Sequence, residues 1–172
     1  MEVYYINIEE FKKSHSRSFL IQYCDKNIKT EKRFYEYSIG RYLVKEIAKK
    51  YYNLSDTEII TIENGKPIFK NSKLHFSISH SKNFVTVCFA KFPCAIDIEY
   101  IKNRNLDKLS EHFGCEFIDL EDFYKFWTRK EALYKLNTSA ENIYCTKFEN
   151  EYFLTIAYKG KLDRNIEIKQ ID

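Results

Sequence analysis

The sequence predicts an α+β fold with two similar α/β halves, in which antiparallel strands and packed helices are related by a pseudo-twofold axis. Three observations lead to this prediction. Short runs that alternate apolar and polar residues recur along the chain, as in strands, and two longer tracts carry apolar residues at helical spacing. In addition, one pair of strand-like runs is similar to a second pair nearer the C-terminus. Such a repeat favours a duplicated unit with a cleft between its halves.

The first half begins with a predicted strand at residues 3–8 and continues with an amphipathic helix at 31–51, where apolar residues lie close to helical spacing. A short strand at 58–62 leads to the sequence NGKP at 64–67. Because Asn-Gly favours positive φ and Pro ends a regular element, NGKP predicts a tight loop. Residues 74–79 alternate again and predict a strand, and the polar sequence SHSKN predicts a loop after it.

The middle of the chain predicts two strands and a helix. The run FVTVCFA at 84–90 has strong β propensity, and AIDIEY at 95–100 predicts the next strand. A helix is predicted at 120–136. At 100° per residue, Trp127 and Tyr134 fall on one side of this helix, so both are expected in the core.

The last third predicts two more strands, at 153–158 and 165–171, separated by the turn-like sequence KGK. The run NFVTVCFA at 83–90 resembles EYFLTIAY at 151–158, and IDIE at 96–99 resembles the NIEI sequence near the C-terminus. Only the first copy has the aspartate. If the match reflects duplication, the two strand pairs should occupy related positions in the fold.

Composition limits the class of protein. The 172 residues suit one domain or two small halves that share a core, and 44% of them are hydrophobic. Twenty-eight basic against 25 acidic residues give a net charge of +3, too even a balance to indicate nucleic-acid binding. Five cysteines without a CxxC pair or suitably spaced histidines favour free thiols in a reducing compartment. With neither a signal sequence nor a membrane span, we expect a soluble cytoplasmic protein.

The AIDIEY strand carries two carboxylates on one face. Asp97 and Glu99 are two positions apart, so they point the same way, whereas Ile96 and Ile98 point the other way. Adjacent carboxylates repel each other, and burial would add a cost of several kcal/mol unless a cation or hydrogen bonds replace the lost water. Two interpretations therefore remain open: a solvated strand face or a cation site.

Three other segments could meet these carboxylates in a cleft. FSISHS at 76–81 ends in hydroxyls and an imidazole, which can donate hydrogen bonds to phosphate oxygens. NGKP supplies a lysine and open backbone amides, and WTRKEALYK places Glu131 one helical turn before Lys135. Each segment also has an ordinary interpretation, as a structural histidine, a turn or a surface ion pair.

The succession GKP, FSISHS, DIE and W-T-R-K-E-A-x-x-K resembles the 4′-phosphopantetheinyl transferases, of the larger, two-halved type that activates surfactin synthetase. The smaller, trimeric type has its aspartate strand near the N-terminus, whereas about ninety residues precede it here. The resemblance therefore implies a monomer with the 4′-phosphopantetheinyl transferase fold. It also implies an N-terminal half with coenzyme A-binding loops at 1–92, and a C-terminal half with the metal-binding strand and the KEA helix at 93–172.

The resemblance implies transfer of the 4′-phosphopantetheine group of coenzyme A to a serine of an acyl or peptidyl carrier protein, with release of adenosine 3′,5′-bisphosphate. Asp97, Glu99 and Glu131 would hold Mg²⁺, or Mn²⁺ as the alternative, because Mg²⁺ is commonly held by a few carboxylates together with phosphate and water. The general base would be Glu131 or Glu99. Glu131 is favoured, because helix and strand approach the site from different sides.

The resemblance further implies contacts with coenzyme A. Lys135 would bind the pyrophosphate, and Ser79 with His80 would bind phosphate groups. The residues implied for the adenine and its 3′-phosphate are Gly65, Lys66, Pro67, Lys32 and Arg33.

Several residues depart from the family pattern. Lys82 and Ala95 stand where glycine is usual, and Asn137 replaces the glycine that closes the KEA helix, although asparagine tolerates the left-handed conformation of such a cap. The segment after this helix is short, which puts carrier recognition most in doubt. Two other functions therefore remain open: a catalytically silent protein that binds coenzyme A or a carrier, and an interaction module with a solvated acidic strand.

Overall fold

The computed structural model describes residues 1–62, 65–162 and 165–171, so Asn64 of the predicted NGKP loop lies outside the described residues. The helices are α1 (Ile8–Ser14), α2 (Arg17–Leu20), α3 (Glu31–Tyr52), α4 (Leu106–Phe113) and α5 (Leu120–Leu136), with a 3₁₀ turn at Ile21–Tyr23 after α2. The strands are β1 (Glu2–Asn7), β2 (Ile59–Thr61), β3 (Pro67–Phe69), β4 (His75–Ser81), β5 (Phe84–Ala90), β6 (Cys94–Tyr100), β7 (Asn142–Phe148), β8 (Tyr152–Tyr158) and β9 (Glu167–Gln170).

Two main sheets form the centre of the molecule. The first has the order β4-β5-β1-β9, and the second has the order β6-β8-β7. All neighbouring strands in these sheets are antiparallel except β1 and β9. Strands β2 and β3 form a separate two-stranded sheet. The predicted α+β class with antiparallel strands is confirmed.

The described elements stack in four layers: α3, the first sheet, the second sheet and α5. On one face of the first sheet, Tyr4 and Val87 pack with Leu43 of α3. Val3 and Cys88, on its other face, pack against Ile96 of the second sheet. The far face of the second sheet meets α5. Strands β5 and β8 are buried along their whole length, because each is central in a sheet that is covered on both sides.

The two halves follow a similar order of elements. Strand β1 precedes α1–α3 and the β4–β5 hairpin, and β6 precedes α4, α5 and the β7–β8 hairpin. The runs at 84–90 and 152–158 occupy corresponding central positions. The other strands of the two predicted pairs, β6 and β9, differ in how they pair. Strand β6 is antiparallel to β8, whereas β9 is parallel to β1. The pseudo-twofold axis therefore stays a prediction.

The SHS sequence forms part of a strand and not of a loop. His80 and Ser81 continue β4 in register with β5, and the turn follows at Lys82, whose φ is 51°. The predicted loop began too early because alternating polar residues resemble a loop when nothing in the sequence shows what they face.

Helix α5 buries a different stripe from the one expected. Its buried residues are Phe123, Tyr124, Thr128, Ala132 and Leu136, mostly one turn apart. Tyr134 is 74% exposed, so its predicted core position is wrong. The small side chain of Ala132 lies against Ala95 and Ala157 of the second sheet, which lets the helix approach closely. As predicted, Asn137 ends the helix in the left-handed conformation, with φ of 56°.

Within the described residues, no helix is both long enough and apolar enough to cross a membrane.

Candidate functional site

The two sheets meet along β4 and β6, which are edge strands joined by serine side chains. Three β6 backbone N–H groups donate to β4 hydroxyls: Ile96 to Ser77 at 3.2 Å, Ile98 to Ser79 at 3.2 Å and Tyr100 to Ser81 at 3.0 Å. Alternate residues of a strand share a face, so the spacing of two brings all three hydroxyls to this junction. We call the three serines and their β6 partners the serine seam. Its hydroxyls satisfy amides that a neighbouring strand would otherwise bind.

Asp97 lies at the seam and is only 4% exposed. Its Oδ1 accepts hydrogen bonds from the Ser79 hydroxyl at 3.0 Å and from Lys135 Nζ at 2.6 Å. Its Oδ2 is buried and has no hydrogen-bond partner among the described residues. Asp97 is therefore a buried carboxylate with one oxygen engaged and the other still able to accept a ligand.

The surroundings of Asp97 oppose its ionisation. Burial raises the pKa of Asp97 to about 6, and the nearby Glu99 carboxylate acts in the same direction. Lys135 and the Ser79 hydroxyl act in the opposite direction, because they stabilise the charged form. Additional positive charge at this position would favour the carboxylate further.

Glu99 is held beside Asp97 as the strand pattern predicts. Its Oε2 accepts a hydrogen bond from Ser81 at 3.0 Å, and its Oε1 accepts a longer one from Trp127 Nε1 at 3.4 Å. Both carboxylates thus contact serines of β4, which confirms that they share one face of β6. Unlike Asp97, Glu99 is partly exposed.

Helix α5 supplies the basic partner of Asp97. The Lys135 ammonium donates to Asp97, to the Ser79 hydroxyl at 3.1 Å and to the Ile96 carbonyl at 3.2 Å, so all three of its protons have acceptors. Glu131 lies one turn earlier and is half-buried. Within the described part of the chain, it makes no hydrogen bond or ion pair.

The Ser79 hydroxyl is fully used inside the protein. It donates to Asp97 and accepts from Ile98 N and Lys135, which fills its one donor and two acceptor positions. A coenzyme phosphate could bind Ser79 only by displacing one of these partners. The contacts of Ser79 align Asp97 and Lys135.

The three predicted metal ligands, Asp97, Glu99 and Glu131, do not converge on one point as the ligands of a metal ion would. Among the described residues, no group of three His, Cys, Asp or Glu side chains could hold a metal ion. The unpartnered Oδ2 of Asp97 nevertheless fits a cation, and oxygen donors suit Mg²⁺. The Mg²⁺ site therefore stays a prediction.

A second polar region, which we call the α3 pocket, lies on the other side of β4. It is lined by Lys26, Arg33, Glu36, Tyr37, Arg41, Thr61, Gly65, Pro67, Ile78 and His80. The pocket brings together four residues predicted from separate segments: Arg33, Gly65, Pro67 and His80. Since His80 is next to Ser79 on β4, the two side chains point to opposite faces, one to the pocket and one to the seam.

Glu36 lies between His80 and Lys32, two residues predicted to bind coenzyme A. Its Oε1 lies 3.7 Å from His80 Nδ1 and 3.7 Å from Lys32 Nζ. Burial lowers the pKa of His80, although Glu36 opposes this shift. The Lys32 side chain is 73% exposed. The structure therefore places Lys32 near the α3 pocket as an exposed cation paired with Glu36.

Lys66 extends away from its neighbours Gly65 and Pro67. Its Nζ donates to the Cys94 carbonyl at 2.9 Å, at the start of the strand that carries Asp97. It lines a separate depression, together with Leu136 and Asn137 at the end of α5. Burial lowers the pKa of Lys66.

Sequence reasoning missed Lys26, Tyr37 and Arg41 in the α3 pocket. Arg33, Tyr37 and Arg41 are successive positions four apart on α3, so they share a face. This spacing was available in the sequence. Without the fold, however, basic residues of an amphipathic helix are assigned to the solvent side, and Arg41 is in fact only 5% exposed.

The fold and these contacts define an α+β protein with two adjoining polar sites, one built on the buried carboxylate of Asp97 and the other on basic residues. No protein-family model matches the chain. The chain is similar to the 4′-phosphopantetheinyl transferase Sfp of Bacillus subtilis (strain 168), with 34% identity over 56% of this chain and 49% of that protein. It is also similar to the 4′-phosphopantetheinyl transferase gsp of Aneurinibacillus migulanus, with 31% identity over 59% of this chain and 47% of that protein.

A shorter relative is covered more completely. The holo-[acyl-carrier-protein] synthase of Limosilactobacillus reuteri is 34% identical over 46% of this chain and 84% of its own length. The chain belongs to the 4′-phosphopantetheinyl transferase superfamily. It spans about half the length of the larger relatives, Sfp and gsp.

Proposed function

We propose that this protein transfers the 4′-phosphopantetheine group of coenzyme A to a serine of an acyl or peptidyl carrier protein and releases adenosine 3′,5′-bisphosphate. The proposal rests above all on Asp97, whose buried carboxylate has one oxygen engaged by Lys135 and Ser79 and the other without a partner. The names of the relatives support the same chemistry: two are phosphopantetheinyl transferases and one is a holo-[acyl-carrier-protein] synthase.

Asp97, Glu99 and Glu131 are the residues that would hold Mg²⁺, with Mn²⁺ as the alternative. Asp97 has an available oxygen, Glu99 lies beside it on β6, and Glu131 comes from the facing helix. When bound, the ion would neutralise negative charge on the pyrophosphate that is cleaved.

Glu131 is the better candidate for the general base. Both oxygens of Glu99 accept hydrogen bonds, from Ser81 and Trp127, whereas Glu131 makes none with the described residues. A carboxylate with available lone pairs can accept the proton of the incoming serine hydroxyl directly or through water. Glu99 would then serve mainly to hold the cation.

Coenzyme A would extend across the edge of β4. Its adenine and 3′-phosphate would bind in the α3 pocket through Arg33, Gly65, Pro67 and His80, and its pyrophosphate would reach Lys135 at the seam. The side-chain alternation of β4 supports this route, because His80 and Ser79 face the two regions. To contact phosphates, Lys135 and Ser79 would each have to exchange a present partner, because all their hydrogen-bonding positions are filled. Lys32 and Lys66 would turn toward the phosphates from their present partners, Glu36 and the Cys94 carbonyl.

The proposal includes the predicted arrangement of the enzyme. The halves 1–92 and 93–172 would act as one compact monomer in the cytoplasm, with the coenzyme-binding loops in the first half. The change of sheet between β5 and β6 supports this division, although β9 returns to the first sheet.

The test is intact-mass spectrometry of apo carrier proteins incubated with this protein, coenzyme A and Mg²⁺. We expect one phosphopantetheine to be added per carrier, and none to a carrier whose acceptor serine is replaced by alanine. A chelator should stop the reaction, and added Mg²⁺ should restore it. If acyl and peptidyl carriers all stay unmodified while the protein is folded and binds coenzyme A, it is a silent binder and the proposal is wrong.

A further inference from the structure

Helix α5 is joined to the second sheet by a buried pair of threonines. The hydroxyl oxygens of Thr128 and Thr155 lie 2.7 Å apart, and both side chains are fully buried. A hydroxyl has one proton, and that of Thr128 is directed at the Tyr124 carbonyl at 2.8 Å, so Thr155 donates to Thr128. Each hydroxyl proton therefore has an acceptor, although both groups are removed from water.

Thr155 is the cross-strand neighbour of Asp97. The two residues are directly paired in the antiparallel ladder of β6 and β8, and paired residues share a face of the sheet. Both therefore face α5, which contacts Asp97 through Lys135 and Thr155 through Thr128. The threonine contact thus lies beside the carboxylate on which the proposed reaction depends.

The spacing of residues along α5 matches the spacing of residues in the sheet. Four residues of a helix advance about 6 Å, and two residues of a strand advance about 6.8 Å. Buried positions one turn apart on α5 can therefore meet successive rows of paired residues. Three rows pair with helical residues in this way, through shared apolar clusters at the two ends and the hydroxyl pair in the middle: Ala95–Ala157 with Ala132, Asp97–Thr155 with Thr128, and Glu99–Phe153 with Tyr124.

Apolar packing alone does not fix this register. A displacement of one helical turn would set Ala132, whose side chain is small, against the row of Asp97 and Thr155. It would also set Thr128 against Phe153, so the buried Thr155 hydroxyl would lose its acceptor, which is costly. In coiled coils, one polar residue in an apolar contact selects the register at some cost in stability. The threonine pair is a polar contact of this kind.

The register of α5 determines where its reactive groups lie. Glu131 and Lys135 follow Thr128 by about one and two turns. Because the side chains of a helix point back toward its N-terminus, Lys135 reaches back to Asp97, and its Nζ lies 2.6 Å from Oδ1. A displacement of one turn, about 5.4 Å, would break this contact and move Glu131 by the same distance.

We propose that the Thr128–Thr155 hydrogen bond sets the register of α5 on the second sheet and thereby positions Lys135 and Glu131 at Asp97. Thr128 and Thr155 are positioning residues, because both are fully buried and act through the helix. Their role in the reaction rests on the proposed function, in which Lys135 binds the pyrophosphate and Glu131 accepts the proton. The register itself does not depend on that function.

The test replaces both threonines by valine, which has the same shape but no hydroxyl. Since removal of both partners leaves no buried hydroxyl unsatisfied, the double variant Thr128→Val/Thr155→Val should unfold at nearly the same urea concentration as the unmodified protein. Its kcat for carrier modification should nevertheless fall by about tenfold to a hundredfold, the scale of a misplaced reactive group. Its KM for coenzyme A should rise, because Lys135 no longer reaches the pyrophosphate. Partial unfolding would lower kcat alone, so the rise in KM separates the two causes.

Two further variants serve as controls. Thr128→Ser, with Thr155 unchanged, keeps the hydrogen bond and should show near-normal kcat and KM. Thr146→Val makes the same chemical change on β7 and should not affect transfer. Thr146 points away from α5, because its neighbour Lys147 faces that helix and pairs with Glu121.

Thr155→Val alone carries the test if the double variant does not fold. It removes the donor of the pair, whereas the Thr128 proton keeps its acceptor, the Tyr124 carbonyl. Normal kcat and KM in a folded variant that lacks the Thr155 hydroxyl overturn the inference.

A stability measurement separates the register from the proposed function. Lys135→Met should lower the urea midpoint of the otherwise unmodified protein, because it breaks the contact with Asp97. In the double variant, where that contact is already broken, the same substitution should shift the midpoint less than about half as much. Equal shifts in the two proteins would overturn the inference. Unequal shifts without any transfer by the unmodified protein would support the register and overturn the proposed function.

Discussion

The serine seam and the α3 pocket lie on opposite faces of β4, and they balance their charges differently. At the seam, Asp97 is paired with Lys135, and each proton of that lysine has an acceptor. In the pocket, Arg41 is buried with Nη1 unpartnered among the described residues. The comparison separates a charge pair that is neutralised within the protein, with one carboxylate oxygen still available, from a buried guanidinium that has no direct ion pair among the described residues.

The largest effect on stability should follow from breaking the charge pair at the seam. Asp97→Ala leaves the Lys135 ammonium without its main partner and should lower the free energy of unfolding by about 3 kcal/mol. This is the low end for buried pairs, because the Lys135 side chain is 29% exposed. Urea unfolding measures the change.

Adding Lys135→Met to Asp97→Ala should restore part of that stability, since the buried charge is then gone. It should not restore transfer. If the double variant is as unstable as the sum of the two single variants, the pair is not coupled and the charge balance described for the seam is incorrect.

The next largest effect, a loss of turnover, should distinguish the two partly buried carboxylates, Glu99 and Glu131. Glu131→Gln keeps an oxygen for the cation but removes the basic group, so turnover should fall by about a hundredfold or more while coenzyme A and Mg²⁺ still bind. Single-turnover kinetics and calorimetry measure the two properties. Should Glu99→Gln lose turnover in this way while Glu131→Gln stays near normal, the base is Glu99.

A smaller effect should distinguish the serines of the seam. Ser77→Ala removes one hydroxyl that binds a backbone amide and should cost about 1 kcal/mol of stability. Ser79→Ala also releases Asp97 and Lys135, so it should cost about 2 kcal/mol and reduce the rate of transfer. Chemical denaturation and transfer rates of both variants provide the comparison. Equal behaviour of the two would show that Ser79 does not position the charged pair.

The smallest effect should come from replacing His80, the β4 residue that lines the α3 pocket. His80→Ala removes a ring that would contact coenzyme A but no group that takes part in the chemistry. It should therefore raise the KM for coenzyme A a few-fold with little change in kcat. Steady-state kinetics with coenzyme A as the varied substrate measures this split. A large loss of kcat with unchanged KM would place His80 in the reaction centre instead.

The placement of the charged residues beside the seam could be predicted because short-range geometry determines it, whereas the serine contacts were missed because SHS was predicted as a loop. Strand alternation put Asp97 and Glu99 on one face, and the spacing of one helical turn put Glu131 near Lys135. The closeness of α5 to β6 could not be derived this way. It depends on Ala95, Ala132 and Ala157, which meet only in the folded chain.

The α3 pocket was harder to predict because distant segments form it. Nothing local in the sequence shows that Lys26 and Arg41 share a cavity, or that Lys66 contacts Cys94. Strand β7 was missed for a related reason. It is an edge strand with mostly exposed residues, so its alternation of apolar and polar residues is weak.

The most direct test of Asp97 as the centre of the reaction is the rate of carrier modification by Asp97→Asn, followed by intact-mass spectrometry. Asp56→Asn is the matched control, because this exposed aspartate lies before β2, away from the seam. We expect Asp56→Asn to modify the carrier at the normal rate, and Asp97→Asn to add no detectable phosphopantetheine although it still binds coenzyme A. Near-normal transfer by Asp97→Asn would contradict the placement of the reaction at the serine seam.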